Sequence, residues 1–207
     1  MLVLFDLNGT LLNPAGIGEP WGEPGLGEAV LQEAVRSAMA DTLSGAFHPF
    51  NEHVEAAIAR QVAARGLAAD RVETAVERAS ALDPFPDAAG ALDTLRAAGH
   101  RVAVLTNSGR EAGERAVAKA GLDVEAVVGT DEVRAYKPDR RVYRHALERL
   151  GEDDAWLVAA HAWDVTGAKR AGLRTAWIAR LEREISAIAE PPDLRAPDLA
   201  GAARAIG

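Results

Sequence analysis

The sequence predicts an α/β protein: a parallel sheet with helices on both faces, plus an all-helical segment inserted after the first strand. Three observations carry that expectation. From about residue 86 onward, helical and strand-like patterns alternate strictly, which implies right-handed crossovers and a sheet covered on both sides. The chain opens on a short apolar run, Leu2 to Phe5, that stops at Asp6 and is followed by Asn8, Gly9 and Thr10. A run of that length bounded by turn residues reads as a fully buried strand. Between these two regions, helical patterns succeed one another without an intervening strand.

The elements follow in order. Residues 13–27 are rich in Gly and Pro and read as an irregular linker, although Trp21 in its middle is expected to pack against something. A helical period runs from Glu28 to about Thr42, with Ala29, Val30, Ala34 and Val35 on one face. Asn51 is a candidate N-cap for a second helix through Arg65, stopped by Gly66, and Asp70 for a third from Arg71 to about Ala81. After Pro84-Phe85-Pro86 come a helix from Asp87 to Ala98, a strand from Arg101 to Thr106 and a helix from Gly109 to Ala120. A strand from Val124 to Val128 and a helix from Pro138 to Leu150 follow, with the proline in the tolerated first turn. The pattern closes with a strand from Ala155 to Ala160, a helix from Asp164 to Ala171, a strand from Thr175 to Ala179, a loop at Pro191-Pro192 and a short helix from Leu199 to Ile206. The expected division is an α/β core made of residues 1–13 and 86–207, and a helical cap of residues 14–85.

Composition bounds the function. The chain has 207 residues, 48% of them hydrophobic, enough for one sizeable core. A net charge of −8 argues against a nucleic-acid surface. The absence of cysteine removes disulfides, thiolate zinc sites and cysteine nucleophiles. The opening residues lack the basic lead of a signal peptide, and no apolar run approaches membrane-spanning length, so a cytoplasmic protein with no membrane partner is the expectation.

Open parallel sheets carry their chemistry beyond the carboxyl ends of their strands. Four stretches fall there: Asp6, Asn8 and Thr10; Thr106, Asn107 and Ser108; Tyr136 to Asp139 with Lys137; and His161 with Asp164. Each residue alone has a plain structural alternative. Asp6 can end a strand in a turn, Thr10 and Ser108 can cap local backbone, Lys137 can be a solvated lysine, His161 a hydrogen-bonded structural histidine and Asp164 a helix N-cap. Four such stretches on one sheet edge are harder to explain structurally. An insertion after the first strand would hang over that edge as a lid.

Phe5-Asp6-Leu7-Asn8-Gly9-Thr10-Leu11, Leu105-Thr106-Asn107, Tyr136-Lys137-Pro138-Asp139 and Ala162-Trp163-Asp164 resemble, in order, the four motifs of the haloacid dehalogenase-like (HAD) hydrolase superfamily. The resemblance implies a Rossmann-like core with an inserted cap. Tyr136 to Tyr143, and His161 to Ala168 followed by Trp177-Ile178, look most like the hydrolytic 2-haloacid dehalogenases. By that resemblance Asp6 is the nucleophile that forms an ester, Lys137 its cation, and Thr10 and Thr106 hydrogen-bond around it. Asp164 orients Lys137 or the hydrolytic water, Asn107 touches substrate and Tyr143 borders the pocket. Asn8, Arg36, His161 and Trp163 complete the expected substrate-binding set. Relatives of this kind are often dimers, so a homodimer is implied too.

Departures from the family pattern divide its branches. Phosphatases of the superfamily carry a second Asp at the place of Asn8, as general acid, and a magnesium-ligand carboxylate at the place of Ala160. An amide shuttles no proton, and general-acid help contributes roughly 10²–10⁴ in rate. A halide leaves without a proton, so both changes spare dehalogenation. Against that, the dehalogenases have Tyr or a similar residue where Asn8 sits, Asn where His161 sits, Ser where Ala159 sits, and a cap arginine near Leu31, for which Arg36 is the nearby substitute. The expectation is therefore a hydrolase of small molecules, best a metal-independent 2-haloacid dehalogenase with no cofactor and no metal ligand. The alternatives are a magnesium-dependent phosphatase of small phosphate esters and a catalytically idle relative that binds a ligand or partner.

Overall fold

In the computed structural model, which describes residues 1–207, β1 (Leu2–Phe5) forms the middle of a six-stranded, all-parallel sheet. It pairs on one side with β2 (Arg101–Thr106), itself paired with β3 (Ala126–Gly129), and on the other with β4 (Ala155–Ala159). The sheet continues through β5 (Arg174–Ile178) to β6 (Leu194–Ala196). The order β3-β2-β1-β4-β5-β6 makes β1 the point at which the chain stops building one half and starts the other. Crevices at such switch points are where open α/β sheets bind ligands.

Strand alternation divides the core. Leu2 and Leu4 face one apolar cluster, with Val142 and Tyr143 of α6 (Arg140–Leu150) and Val165 and Ala168 of α7 (Ala162–Ala171). Val3 and Phe5 face the other, with residues of α4 (Ala88–Ala97), α5 (Arg110–Lys119) and α8 (Leu199–Ile206). Both faces of β1 are fully buried, which is why Leu2 to Phe5 reads as an unbroken apolar run.

Between β1 and α4 lie α1 (Pro24–Ser44), α2 (Phe50–Ala64) and α3 (Val72–Ala79), preceded by a 3₁₀ stretch at Pro14–Trp21. The helices pack through Val30, Ala34 and Ala38 against Ala57, Ile58 and Val62, and this apolar contact is continuous with the sheet face that holds Val3 and Phe5. The chain leaves and re-enters the α/β part along one double connection: the Asn13 N–H donates to Asp83 O at 2.8 Å, and the Phe85 N–H to Leu11 O at 2.8 Å.

Several local expectations are corrected. Residues 13–27 are not irregular: Pro14 starts the 3₁₀ stretch, with the Asn13 side chain accepting from the Ala15 N–H, and α1 begins at Pro24. Trp21 does pack, its Nε1 donating to Ala68 O at 2.9 Å. Asn51 is inside α2 rather than capping it, and Asp70 lies in a 3₁₀ turn ahead of α3 without capping it. Pro138 precedes α6, whose cap is Asp139 accepting from the Arg141 N–H. Asp164 is an interior residue of α7, not its cap. The stretch after Pro191-Pro192, read as loop, contains β6; at three residues it is too short for a period to register.

Candidate active site

Asp6 follows β1 directly and is 5% exposed. Lys137, from the segment between β3 and α6, places its Nζ 2.8 Å from Asp6 Oδ1 and 2.6 Å from Asp164 Oδ2, with a third bond to Leu105 O at 3.0 Å. An ammonium has three donors, and all three are used. Asp164, in the first turn of α7, accepts from Lys137 on Oδ2 and from the Tyr143 hydroxyl on Oδ1 at 2.6 Å. The Thr10 hydroxyl donates to Asp6 Oδ2 at 2.7 Å and accepts from the Ala160 N–H at 2.9 Å. Two carboxylates share one buried cation, with every charged oxygen hydrogen-bonded.

Local backbone explains how the groups meet. Gly9 adopts φ +85°, a conformation that favours glycine, and a Cβ there would lie 2.7 Å from His161 Nε2. Gly167 lets α7 approach so closely that a Cβ would lie 2.6 Å from the Tyr143 hydroxyl. Arg180, which sequence reasoning did not single out, donates to Thr10 O at 2.7 Å and to Asp87 at 2.5 Å. It ties the loop after β1 to the start of α4. The Asn107 Oδ1 accepts from the Lys137 N–H at 3.0 Å, so the loop after β2 fixes the lysine's backbone as well.

Charge distributes unequally over the pair. Burial raises Asp6, but the Lys137 charge, His161 and the Lys137 and Thr10 hydrogen bonds together bring it below the usual carboxylate range. Burial also raises Asp164; Lys137 pulls it down, the neighbouring Asp6 charge pushes it up, and the result is above the usual range. Lys137 is lowered by burial but raised more by Asp164 and Asp6, and it remains an ammonium. At neutral pH Asp6 is therefore an ionised carboxylate, shielded from water and oriented by one cation, while Asp164 is the better proton acceptor. An ionised carboxylate held in this way is a nucleophile.

The cavity over Asp6 has a volume of about 10 Å³, room for roughly one water. Its polar lining is Asn8, Thr106, Asn107 and His161, and its apolar lining is Leu31 and Val35 of α1, Phe50 of α2 and Trp163. His161 stacks on Trp163 at 5.3 Å, lies 3.8 Å from Asp6 Oδ2, and pairs its Nε2 with Asn8 O at 3.1 Å. A carbonyl only accepts, so Nε2 carries the proton. Two larger cavities flank this chamber. One of about 560 Å³ shares Asn8, Phe50 and Asn107 with it, and one of about 370 Å³ shares Leu31, Val35, His161 and Trp163.

Asp6, Thr10, Lys137 and Asp164 thus meet as expected, and Asn8, Thr106, Asn107, His161 and Trp163 line the chamber. Three expectations are corrected. Arg36 is exposed and borders the 370 Å³ cavity, outside the chamber. It lies five residues beyond Leu31, about 140° around the helix, whereas Val35 at four residues shares the Leu31 face. Tyr143 is fully buried behind Asp164 and does not line the pocket. Thr106 uses its hydroxyl to accept from the Ser108 N–H at 3.1 Å rather than bonding to Asp6.

A family model for haloacid dehalogenase-like hydrolases matches residues 1–172. The chain belongs to that family. Among curated relatives, it is 28% identical to the (S)-2-haloacid dehalogenase H-109 of Pseudomonas putida, over 95% of this chain and 93% of that protein. It is likewise 28% identical to the haloacetate dehalogenase H-2 of Moraxella sp. strain B, over 94% and 92%. Among solved structures, that of the L-2-haloacid dehalogenase from Xanthobacter autotrophicus superimposes with a TM-score of 0.89 at 25% identity, covering 99% of this chain and 97% of that one.

The donor set of this HAD hydrolase does not fit magnesium. The Lys137 ammonium bridges the two carboxylates that would ligate a cation, and Asn8 and Ala160 supply no further charge. Magnesium needs carboxylates and octahedral room. The position of Tyr143 gives a test of the charge network: Tyr143→Phe removes the only donor other than Lys137 to the Asp164 carboxylate. The expected loss is about 1–3 kcal/mol at pH 7, since one buried charged oxygen is left unpaired, measured by urea unfolding.

Proposed function

We propose that this HAD hydrolase is a metal-independent 2-haloacid dehalogenase that works through an ester on Asp6. The observation that carries this reading is the ion triad of Asp6, Lys137 and Asp164 in place of a magnesium cradle. An Asp6 oxygen attacks the halogen-bearing carbon, the carbon–oxygen bond forms, and the carbon–halogen bond breaks with its electron pair leaving on the halide. Water then adds to the Asp6 carboxyl carbon. Lys137, held in place by Asp164, stabilises the negative oxygen that develops there; one water proton passes to the departing alkoxide oxygen and the other is lost to solvent. Breakdown returns Asp6 and releases the 2-hydroxy acid.

Residues 14–85 act as a cap. The chamber has room for about one water, so binding a haloacid calls for its lining from α1 and α2 to give way, and the paired connections at Leu11 to Asn13 and Asp83 to Phe85 are where such a movement would hinge. Closure drives water out and sharpens the attraction between Lys137 and the reacting oxygens. No arginine or lysine lines the chamber, so the substrate carboxylate is anchored differently here, by the amide N–H groups of Asn8 and Asn107 and, since the Nε2–H of His161 is given to Asn8 O, by a second proton on His161 Nδ1.

Two measurements test the reading. Chloride release from chloroacetate and 2-chloropropionate, undiminished by chelator, is expected; no halide from any short haloacid would sink the substrate assignment. His161→Gln is expected to raise KM for these anions roughly tenfold or more, the usual range for losing one charge-assisted hydrogen bond, with kcat changed less. An unchanged KM would remove His161 as the anchor.

A further inference from the structure

Asp41, His48 and His53 form a cluster of potential metal-ligating groups outside the Asp6 chamber and independent of the function proposed above. Asp41 is in the last turns of α1, His48 in the connection to α2, and His53 in the first turn of α2. Asp41 Oδ2 is 2.8 Å from His48 Nδ1 and 3.2 Å from His53 Nε2, and the three atoms lie within 4.8 Å of one another. Ligands about 2.0–2.2 Å from a tetrahedral zinc are roughly 3.4 Å apart, so small adjustments bring all three into coordination. The separation of the two histidines also falls in the range of zinc-binding pairs.

His53 supplies the second, independent observation. It is 7% exposed, and its Nε2 has no hydrogen-bond partner although it is turned toward Asp41. Its Nδ1 is engaged by the Ser37 hydroxyl at 3.0 Å. Ser37 engages Nδ1 and leaves Nε2 as the ring nitrogen without a hydrogen bond, facing the Asp41 carboxylate. A metal ion held by both would satisfy it, and a histidine whose far nitrogen is hydrogen-bonded is the usual state of a metal ligand.

We infer that Asp41, His48 and His53 bind a divalent transition-metal ion, zinc by ligand type, with solvent completing the coordination on the exposed His48 side. Neutral imidazole and carboxylate suit zinc, whereas calcium and magnesium require oxygen ligands. The ion would stiffen the corner between α1 and α2. That corner is joined to the lysine segment: the Tyr136 hydroxyl donates to His48 O, the Tyr136 N–H donates to Thr42 Oγ1 at 2.9 Å, and the His53 ring meets the Tyr136 ring edge-on at 5.6 Å. Zinc would thus fasten the helical layer to the residue beside Lys137.

Titration of chelator-treated, tag-free protein with zinc chloride tests this by calorimetry. One ion per chain is expected. At zinc a hundredfold above Kd the melting temperature should rise by about 5–10 °C. His48→Ala, at an exposed position, should weaken binding at least tenfold, since even lesser changes around a metal cost 10–100-fold. Cobalt should give visible ligand-field bands in the parent protein that His48→Ala and Asp41→Asn lose. Failure of the parent protein to bind one equivalent, or equal affinity in parent and His48→Ala, would overturn the assignment, whatever becomes of haloacid turnover.

Discussion

Asp6→Asn is expected to abolish turnover, by roughly 10⁴–10⁶-fold in kcat, the range seen when a covalent nucleophile is removed. The protein should still fold. The change neutralises one of two buried carboxylates, and Lys137 keeps Asp164 as its counter-ion. The amide offers no anionic oxygen to attack carbon. Residual activity within tenfold of the parent would mean that water attacks the substrate directly. Isotope labelling separates the two routes without any variant. In a single turnover in ¹⁸O-water, an ester route leaves the label in the Asp6 carboxylate, because water adds to the carboxyl carbon and the product takes its oxygen from Asp6. Direct attack puts the label in the product. The mass of the peptide containing Asp6 decides between them. The same measurement distinguishes an enzyme from an idle relative, since a chain that binds without turnover exchanges no oxygen at either place.

The triad was legible because its members sit where topology forces them together. Asp6, Lys137 and Asp164 each follow the carboxyl end of a strand, and a parallel sheet brings those ends to one edge whatever lies between. Strand positions were legible for a related reason: burial on both faces leaves a continuous apolar run. Side-chain direction was less legible. The family pattern places Tyr143 at the pocket border, yet it faces Asp164 from behind, because α7 approaches over Gly167 and leaves the hydroxyl no partner outside Asp164. Thr106 is on the right strand end, but its hydroxyl is taken by the next turn of its own loop. The Arg180–Asp87 clamp joins residues far apart in sequence and belongs to no local pattern. The pairing of Asp41 with His53 likewise appears only once α1 and α2 are packed side by side.

Arg36 shows how a helical register argument fails by one residue. Leu31 and Val35 face the chamber, and an arginine at either place would reach it; at position 36 the side chain points to the solvent side. The chamber therefore has apolar residues where an anionic substrate would otherwise meet a guanidinium, and His161 is the one lining side chain able to carry positive charge. Substrate preference in this chain should depend on His161 more than on any residue of the helical layer.

Lys137→Met is expected to remove both activity and much of the stability, and the two losses should separate with pH. Lys137 is the only cation hydrogen-bonded to Asp6 and Asp164, and all three groups are buried. Removing one partner of a buried ion pair costs roughly 3–5 kcal/mol, because an uncompensated charge is left behind. Without the ammonium, burial and mutual repulsion raise both carboxylates, so each takes up a proton in the folded state more readily than in the unfolded one. A carboxylate with a raised folded value stabilises the fold below its unfolded value and loses that contribution as pH rises. The gap in unfolding free energy between parent and Lys137→Met should therefore be small near pH 4 and widen toward pH 7. The parent itself should resist alkali: its lysine is raised above 10.5, so the ion-pair contribution persists until pH climbs through that raised value. Adding Asp164→Asn to Lys137→Met should recover part of the stability by deleting one stranded charge, and should recover no turnover, because Asp6 would still lack the cation that keeps it ionised and aimed. A stability gap that stays constant between pH 4 and 7 would show that the lysine contributes through packing alone, and would take with it the electrostatic account of the nucleophile.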